Sequence, residues 1–289
     1  MKPKNRLEPW LFSAPALIIY TFAVVIPVVF SLVLSLFNWD GIANMKFTGF
    51  GNFKEMFSDS TFFTALKNNL IYMVVGTTYQ FLMGMFMAIL ISSTRFFRNI
   101  MKVMYFIPCI IATVAISQIF TKLLALSPMG IINVLIQTLG LKPTAFLGNI
   151  NTSLLSVALV DGYKFCGIYM VMFCSAFASI SSDVVEAAYL DGCNWFQQYF
   201  YIKIPMIKNV CTVALVMLVN GTLKAFEIPF IMTNGGPGAS SELISTFMYK
   251  MSFSAMRFGY GSALAVFLFI ECMIAVTIIR KTIPHSNYE

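Results

Sequence analysis

The chain has 289 residues, of which 58% are apolar and 11% charged. Soluble domains run at roughly 45–50% apolar and about 25% charged, and a globule this poor in charge could not cover its surface. Soluble enzymes, nucleic-acid readers and disordered chains are thereby excluded. The net charge of +7 reads as Lys and Arg held on the cytoplasmic side of a membrane.

Runs without Asp, Glu, Lys or Arg locate the spans. Pro9–Trp39 is 31 residues long, Asn68–Thr94 is 27 and Val103–Thr121 is 19, each beyond the ~18 that mark a crossing helix. The second half is equally apolar but carries charges: Asp161 and Lys164 in Leu154–Ala178, Lys224 and Glu227 in Val210–Phe230, and Glu271 in Gly259–Ile279. The runs do not alternate as barrel strands do. The sequence therefore predicts an all-α integral membrane protein, one domain over 1–289, with six spans near 10–38, 69–93, 103–124, 153–178, 210–230 and 259–280. The first run is too long for a signal peptide and should stay as an anchor, its regularity broken at Pro15 and Pro27.

Orientation follows Lys and Arg. Lys2, Lys4 and Arg6, then Arg95, Arg98 and Lys102, then Arg280 and Lys281 all fall on one side if there are six spans. That side is cytoplasmic, with both termini inside. The segment 179–209 is then cytoplasmic too, although Lys203 and Lys208 are outnumbered there by Asp183, Glu186 and Asp191. Something beyond topology shapes its composition.

Several chemistries are unsupported. Five of the six cysteines lie in predicted spans and Cys193 lies in the cytoplasmic segment, so none sits where an oxidising compartment would pair it. His285 is the one histidine, and no metal or haem site is expected. The cluster Gly235-Gly236-Pro237-Gly238 lacks the Lys and following helix of a phosphate cradle. No cofactor, catalytic residue or nucleic-acid partner is predicted.

The segment 179–209 carries the strongest signal. Ser181 to Gly192 reads as a short helix with a Ser or Asp cap, acids near its start and a glycine stop. Trp195, Phe196, Tyr199, Phe200 and Tyr201 follow, an aromatic density suited to the membrane surface or the helix ends. On physics alone this is an interfacial amphipathic helix. The spacing of Glu186, Ala187, Ala188, Gly192, Ile202, Ile204 and Pro205 resembles the cytoplasmic signature loop of binding-protein-dependent ABC import permeases, with Ile204 where that loop usually has Leu. Thr233-Asn234-Gly235-Gly236-Pro237-Gly238 and Phe258-Gly259-Tyr260-Gly261-Ser262-Ala263 look like the carbohydrate-uptake branch, and the first of these like the first of its two permease subunits.

The resemblance covers about residues 10–283. It implies the type I importer permease fold, a homologous second permease as heterodimer partner, two cytoplasmic ATPase subunits, an extracytoplasmic solute-binding protein and a sugar as cargo, in a bacterial or archaeal cell membrane. The helix around Glu186–Gly192 would be the coupling helix, with Glu186, Ala187, Ala188, Asp191, Gly192 and Pro205 serving the ATPase contact and the acids meeting basic residues.

Charges at membrane depth face a partner or a watery cavity. Asp161 and Lys164 are three apart, as are Lys224 and Glu227, so each pair is placed to neutralise itself along one helix. Equally, Asp161, Lys164, Phe165 and Ile168 on the fourth span, and Asn220, Thr222, Lys224 and Glu227 on the fifth, are placed to line a path. Amides, hydroxyls and rings suit sugars, and Lys164 points to an anionic one. The alternatives are the same machine carrying a polyol phosphate or other non-sugar solute, a secondary transporter using Asp161 and Glu227 as proton sites, and a membrane enzyme or scaffold.

Overall fold

A computed structural model describes residues 8–42, 44–94 and 97–283, with the side chains of 8–11 left undescribed. Lys2, Lys4, Arg6, Arg95 and His285 lie outside the described residues. Five helices are long and apolar enough to cross a membrane, and a bent pair makes a sixth crossing if its halves count as one span. The chain divides into two compact units, Met1–Phe62 with Met248–Phe269, and Phe63–Phe247 with Ile270–Glu289.

In the first unit, helix runs from Glu8 to Leu34. It stops short of the predicted 38 because Phe37–Asn38 pairs with Lys46–Phe47 as a small antiparallel hairpin. Its irregularity sits before Pro27. That residue has no N–H for the preceding turn, and Thr21–Val25 widens into a π-stretch closed by the Ile26 N–H on the Thr21 carbonyl. Phe12, Ile18, Ile19 and Phe22 are all exposed, as a lipid-facing helix requires. Asn52 Nδ2 donates to the Ser35 and Phe37 carbonyls at 2.7 and 2.9 Å. A Cβ on Gly259 would stand 1.9 Å from the Phe37 oxygen, so the Phe258–Ala263 motif has a packing role. Tyr260 donates to Asp59 at 2.9 Å, and Arg257 pairs with Glu55 at 2.6 Å.

The second unit holds most of the buried core. The second spanning helix is Ser60–Ser93, nine residues longer at its start than predicted; Lys67 ends the uncharged run without breaking the helix. The fourth, Ser153–Ala178, coincides with the predicted 153–178 and is the most enclosed of the spans. Phe173, Met170 and Cys174 pack with Ala88 and Ile91 of the second span and with Ala214 and Leu218 of the fifth. Tyr72, Val157, Ala158 and Ile228 belong to a second cluster.

Two predicted spans are interrupted. In place of a continuous helix over 103–124, Arg98–Ile110 and Thr113–Leu123 meet at 94°. Ile111 and Ala112 are extended there, with ψ of 137° and 134°, and Pro108 removes a ladder donor just before the break. The fifth span runs Lys208–Leu223, opens at Lys224–Phe226 and resumes as Glu227–Thr233. Lys224 and Glu227 therefore flank a break rather than share one helix face. Among the described residues no ion pair joins them.

Candidate functional site

The segment between the fourth and fifth spans is built from local rules. Ser181 Oγ accepts from the Asp183 N–H at 3.2 Å and caps the helix Ser182–Leu190. Gly192, at φ +79°, reverses the chain: its N–H reaches the Tyr189 carbonyl at 3.1 Å, and the Cys193 N–H reaches that of Ala188 at 3.0 Å. This paired closure needs a left-handed residue, which glycine adopts without strain. Nothing lies within 4 Å of where a Cβ on Gly192 would stand, so backbone conformation alone selects glycine.

A second helix start follows, where Asn194 and Gln197 form a reciprocal capping box. Tyr199 is buried, edge-on to Phe177 of the fourth span at 5.5 Å and 4.9 Å from Trp195. Lys203 lies 4.3 Å over its ring. Burial holds the Lys203 ammonium below its usual range and pushes the Tyr199 phenol up. Pro205 lies late in the continuous helical run Trp195–Met206, and its missing N–H coincides with the widening of Gln198–Lys203 into a π-stretch, as at Pro27.

The helix face left outward carries Glu186, Ala187, Tyr189 and Leu190, with Asp191 beyond them. Tyr189 is 74% and Leu190 86% exposed. Ala188 is buried and supports the helix from within, so of the two alanines only Ala187 lies on the exposed face. Tyr189 and Leu190 did not stand out in the sequence, because apolar residues beside a membrane are common.

Residues on the flanking spans line a cavity of about 500 Å³: Asp161, Phe165, Ile168 and Tyr169 of the fourth, Gly221, Lys224 to Ile228 of the fifth, Gln80 of the second, and Thr113 just past the break in the third. The opening of the fifth span at Lys224–Phe226 turns Lys224, Phe226 and Glu227 onto this wall. Gln80 Nε2 lies 3.4 Å from Asp161 Oδ2.

Of the predicted path residues, Asp161, Phe165, Ile168, Lys224 and Glu227 line the cavity; Lys164, Asn220 and Thr222 do not. Lys164 is buried, and its Nζ donates to the Ile111 carbonyl at 2.7 Å. Helix breaks leave carbonyls without ladder partners, and this one takes the ammonium. Lys164 thus does not line this cavity, and among the described residues no ion pair joins it to Asp161. Asn220 Nδ2 turns back to the Val216 carbonyl at 2.9 Å. Thr222 Oγ1 bonds the Leu218 carbonyl at 2.9 Å and lies 3.2 Å from Thr77 Oγ1. Gln80, Thr113, Tyr169 and Phe226 were missed; they carry no charge, and only the two helix breaks bring Thr113 and Phe226 to the wall.

The fourth span is clamped beside Lys164. A Cβ on Gly167 would stand 2.4 Å from the Tyr105 carbonyl oxygen, and Cys109 Sγ bonds the Lys164 carbonyl at 2.9 Å. Beyond the fifth span, Asn234 is left-handed at φ +48° and Gly235 at +77°. A side chain on Gly235 would meet the Glu242 carboxylate at 2.1 Å. Ser241 Oγ bonds Thr233 Oγ1 and the Gly236 carbonyl at 2.8 and 2.6 Å, and Asn68 ties the turn to the second span through the Ala239 and Glu242 carbonyls. The Thr-x-Gly-Gly-Pro turn is a cross-braced element.

Comparison with known proteins bears directly on this arrangement. The family "Binding-protein-dependent transport system inner membrane component" matches residues 80–284. The probable ABC transporter permease protein YurN of Bacillus subtilis is 34% identical, over 93% of this chain and 94% of its own. The lactose transport system permease protein LacF of Rhizobium radiobacter is 28% identical, over 96% and 93%. In fold the chain is similar to a solved bacterial alginate ABC transporter, at a TM-score of 0.83 and 21% identity over 95% of this chain and 94% of that one. The matched region takes in the cavity walls on the fourth and fifth spans and the whole segment between them. The chain belongs to this family: it is a multi-pass permease subunit of a binding-protein-dependent ABC importer in the cell membrane, with ATP hydrolysis on separate subunits.

Proposed function

We propose that the chain forms one half of the path for a sugar or oligosaccharide, paired with a homologous second permease over two ATPase subunits, with both termini cytoplasmic. The observation that carries this reading is continuity. The two helices that supply most of the cavity lining, the fourth and the fifth, are the two that the Ser182–Leu190 segment joins. Ile168 lies ten residues and Asp161 seventeen residues before Ala178, roughly 15 and 26 Å along a helix. A push on Tyr189 and Leu190, seated in an ATPase cleft, is transmitted through the rigid fourth span to the cavity wall. ATP-driven closure of the ATPases then rocks the spans and alternates access.

The lining suits a glycan. Asp161, Glu227 and Gln80 offer acceptors to hydroxyls, and Phe165, Tyr169 and Phe226 offer faces to the C–H side of a sugar ring. The similarity to a lactose permease supports the same class of cargo. With Lys164 turned away to Ile111, Lys224 is the one basic side chain among the described residues of the lining, beside the acidic Asp161 and Glu227, which favours an uncharged sugar over the anionic one that Lys164 suggested. To test this, cysteine replaces Ile168 in a complex free of native cysteines, and its alkylation is timed with lactose or maltotriose. Slowing by a sugar that the transporter also imports is expected. Equal rates with and without the imported sugar would place the path elsewhere.

A further inference from the structure

The second, fifth and sixth spans meet at a polar group that neither the cavity nor the docking segment uses. Asn69, on the second span, is fully buried. Its Nδ2 donates in two directions, to the Leu223 carbonyl at 3.4 Å and to Glu271 Oε2 of the sixth span at 3.2 Å. The Leu223 carbonyl can only accept, so it fixes the orientation of the amide: turning Asn69 over would set oxygen against oxygen. With that orientation fixed, Asn69 Oδ1 and Glu271 Oε1 are both buried acceptors with no donor. Such groups are costly in a low-dielectric interior, and more so at membrane depth. The two unserved oxygens belong to the two groups that the Asn69–Glu271 hydrogen bond already joins.

We infer that Glu271 is a proton-binding site, holding its proton on Oε1 and donating it to Asn69 Oδ1 as a closed acid–amide pair. One proton serves both orphan acceptors and removes a charge from the membrane. Among the described residues no ion pair competes for Glu271. The neighbouring titratable group on its own helix is Cys272, and the fifth span brings Lys224 to the same region, with no ion pair to Glu271 among the described residues. The second span contributes only the neutral Asn69. The pair has a position with consequences. Leu223 is the last helical residue before the opening at Lys224–Phe226, so the protonated pair anchors the edge of the break that forms the cavity wall. Loss of the proton would leave a carboxylate facing an amide oxygen and loosen that anchor.

The test uses the assembled transporter in lipid nanodiscs and infrared difference spectra of wild type against Glu271→Gln at neutral pH. The C=O stretch of a protonated carboxylic acid is expected in wild type, shifting in heavy water and vanishing in the variant. A carboxylate signal in its place overturns the inference. Glu271→Gln supplies the same donor and acceptor permanently, so it should assemble, keep its thermal midpoint and import at the wild-type rate, with import resisting alkaline pH better than wild type. Misfolding of Glu271→Gln, or an alkaline fall in import identical to wild type, overturns it as well. Asn69→Leu, which strands Glu271 in a still less polar site, should lower the midpoint and move the infrared band to higher frequency, because the acid stays protonated but its carbonyl loses the amide donor; an unchanged band and midpoint would show that Asn69 is not its partner.

Discussion

Replacing Lys164 by Met separates two accounts of one buried charge. Met keeps the length of the side chain and its packing but offers no donor. The Lys164–Ile111 bond is 2.7 Å long and buried, and a hydrogen bond to a charged group contributes about 1.5–3 kcal/mol. Lys164→Met should destabilise the subunit by about that amount, felt at the 94° bend. Asp161 also loses a nearby cation, yet no ion pair within 4 Å joins the two residues among those described, so this part is the smaller. A double-mutant cycle with Asp161→Asn measures it. The structure predicts a coupling below about 1 kcal/mol, so the double variant recovers only part of the loss, at most about two-thirds of it. The assay is thermal unfolding of the purified complex in detergent, with import measured alongside. Full recovery of stability and import in the double variant would refute the reasoning, because it would mean that Lys164 serves Asp161 and not the Ile111 carbonyl.

Other substitutions probe the docking segment and the topology. Gly192→Val places a branched residue at φ +79° and should abolish ATPase coupling, whereas Gly192→Asn, which tolerates that conformation better, should retain part of it; ATPase activity of the reconstituted complex reads both. Tyr189→Arg with Leu190→Glu should leave membrane insertion intact and prevent co-purification of the ATPases, and normal co-purification would contradict the docking role. In a background without native cysteines, Ile42→Cys and Leu139→Cys, both well exposed, should react with an impermeant thiol reagent from outside, and Tyr189→Cys only after permeabilisation. The reverse pattern would invert the topology. Asn52 and Ser241 are unsuitable reporters because both are buried and hydrogen-bonded.

Features governed by neighbouring residues were legible in the sequence. The cap at Ser181 and the stop at Gly192 depend on hydrogen bonds spanning two to five residues, so composition and spacing suffice. The fourth span was equally clear, because its apolar run and its helix end together. The break at Ile111 was not: nothing in an uncharged run marks where a carbonyl will be taken by a lysine more than fifty positions away. Spacing of three placed Lys164 beside Asp161, but a lysine's long arm reaches well beyond its own helix face. Asn220 and Thr222 were read as path residues from their polarity and their place on adjoining stripes of the fifth span, but both satisfy themselves on carbonyls of the preceding turn. Thr113 and Phe226 entered the cavity only because helices break beside them. The Thr-x-Gly-Gly-Pro turn showed its glycines in sequence, but not the Glu242 carboxylate that crowds Gly235 or the Asn68 brace.

The central claim is that ATP closure outside this chain drives solute through the cavity between its fourth and fifth spans. It is tested most directly by import of radiolabelled lactose or maltotriose, whichever the binding protein retains, into proteoliposomes holding the complete transporter. The account predicts uptake that requires ATP on the ATPase side and the loaded binding protein, is unaffected by a proton ionophore, and ceases when Ile168→Trp fills the cavity. Uptake that proceeds without ATP and collapses with the proton gradient, or that is untouched by Ile168→Trp, would contradict it.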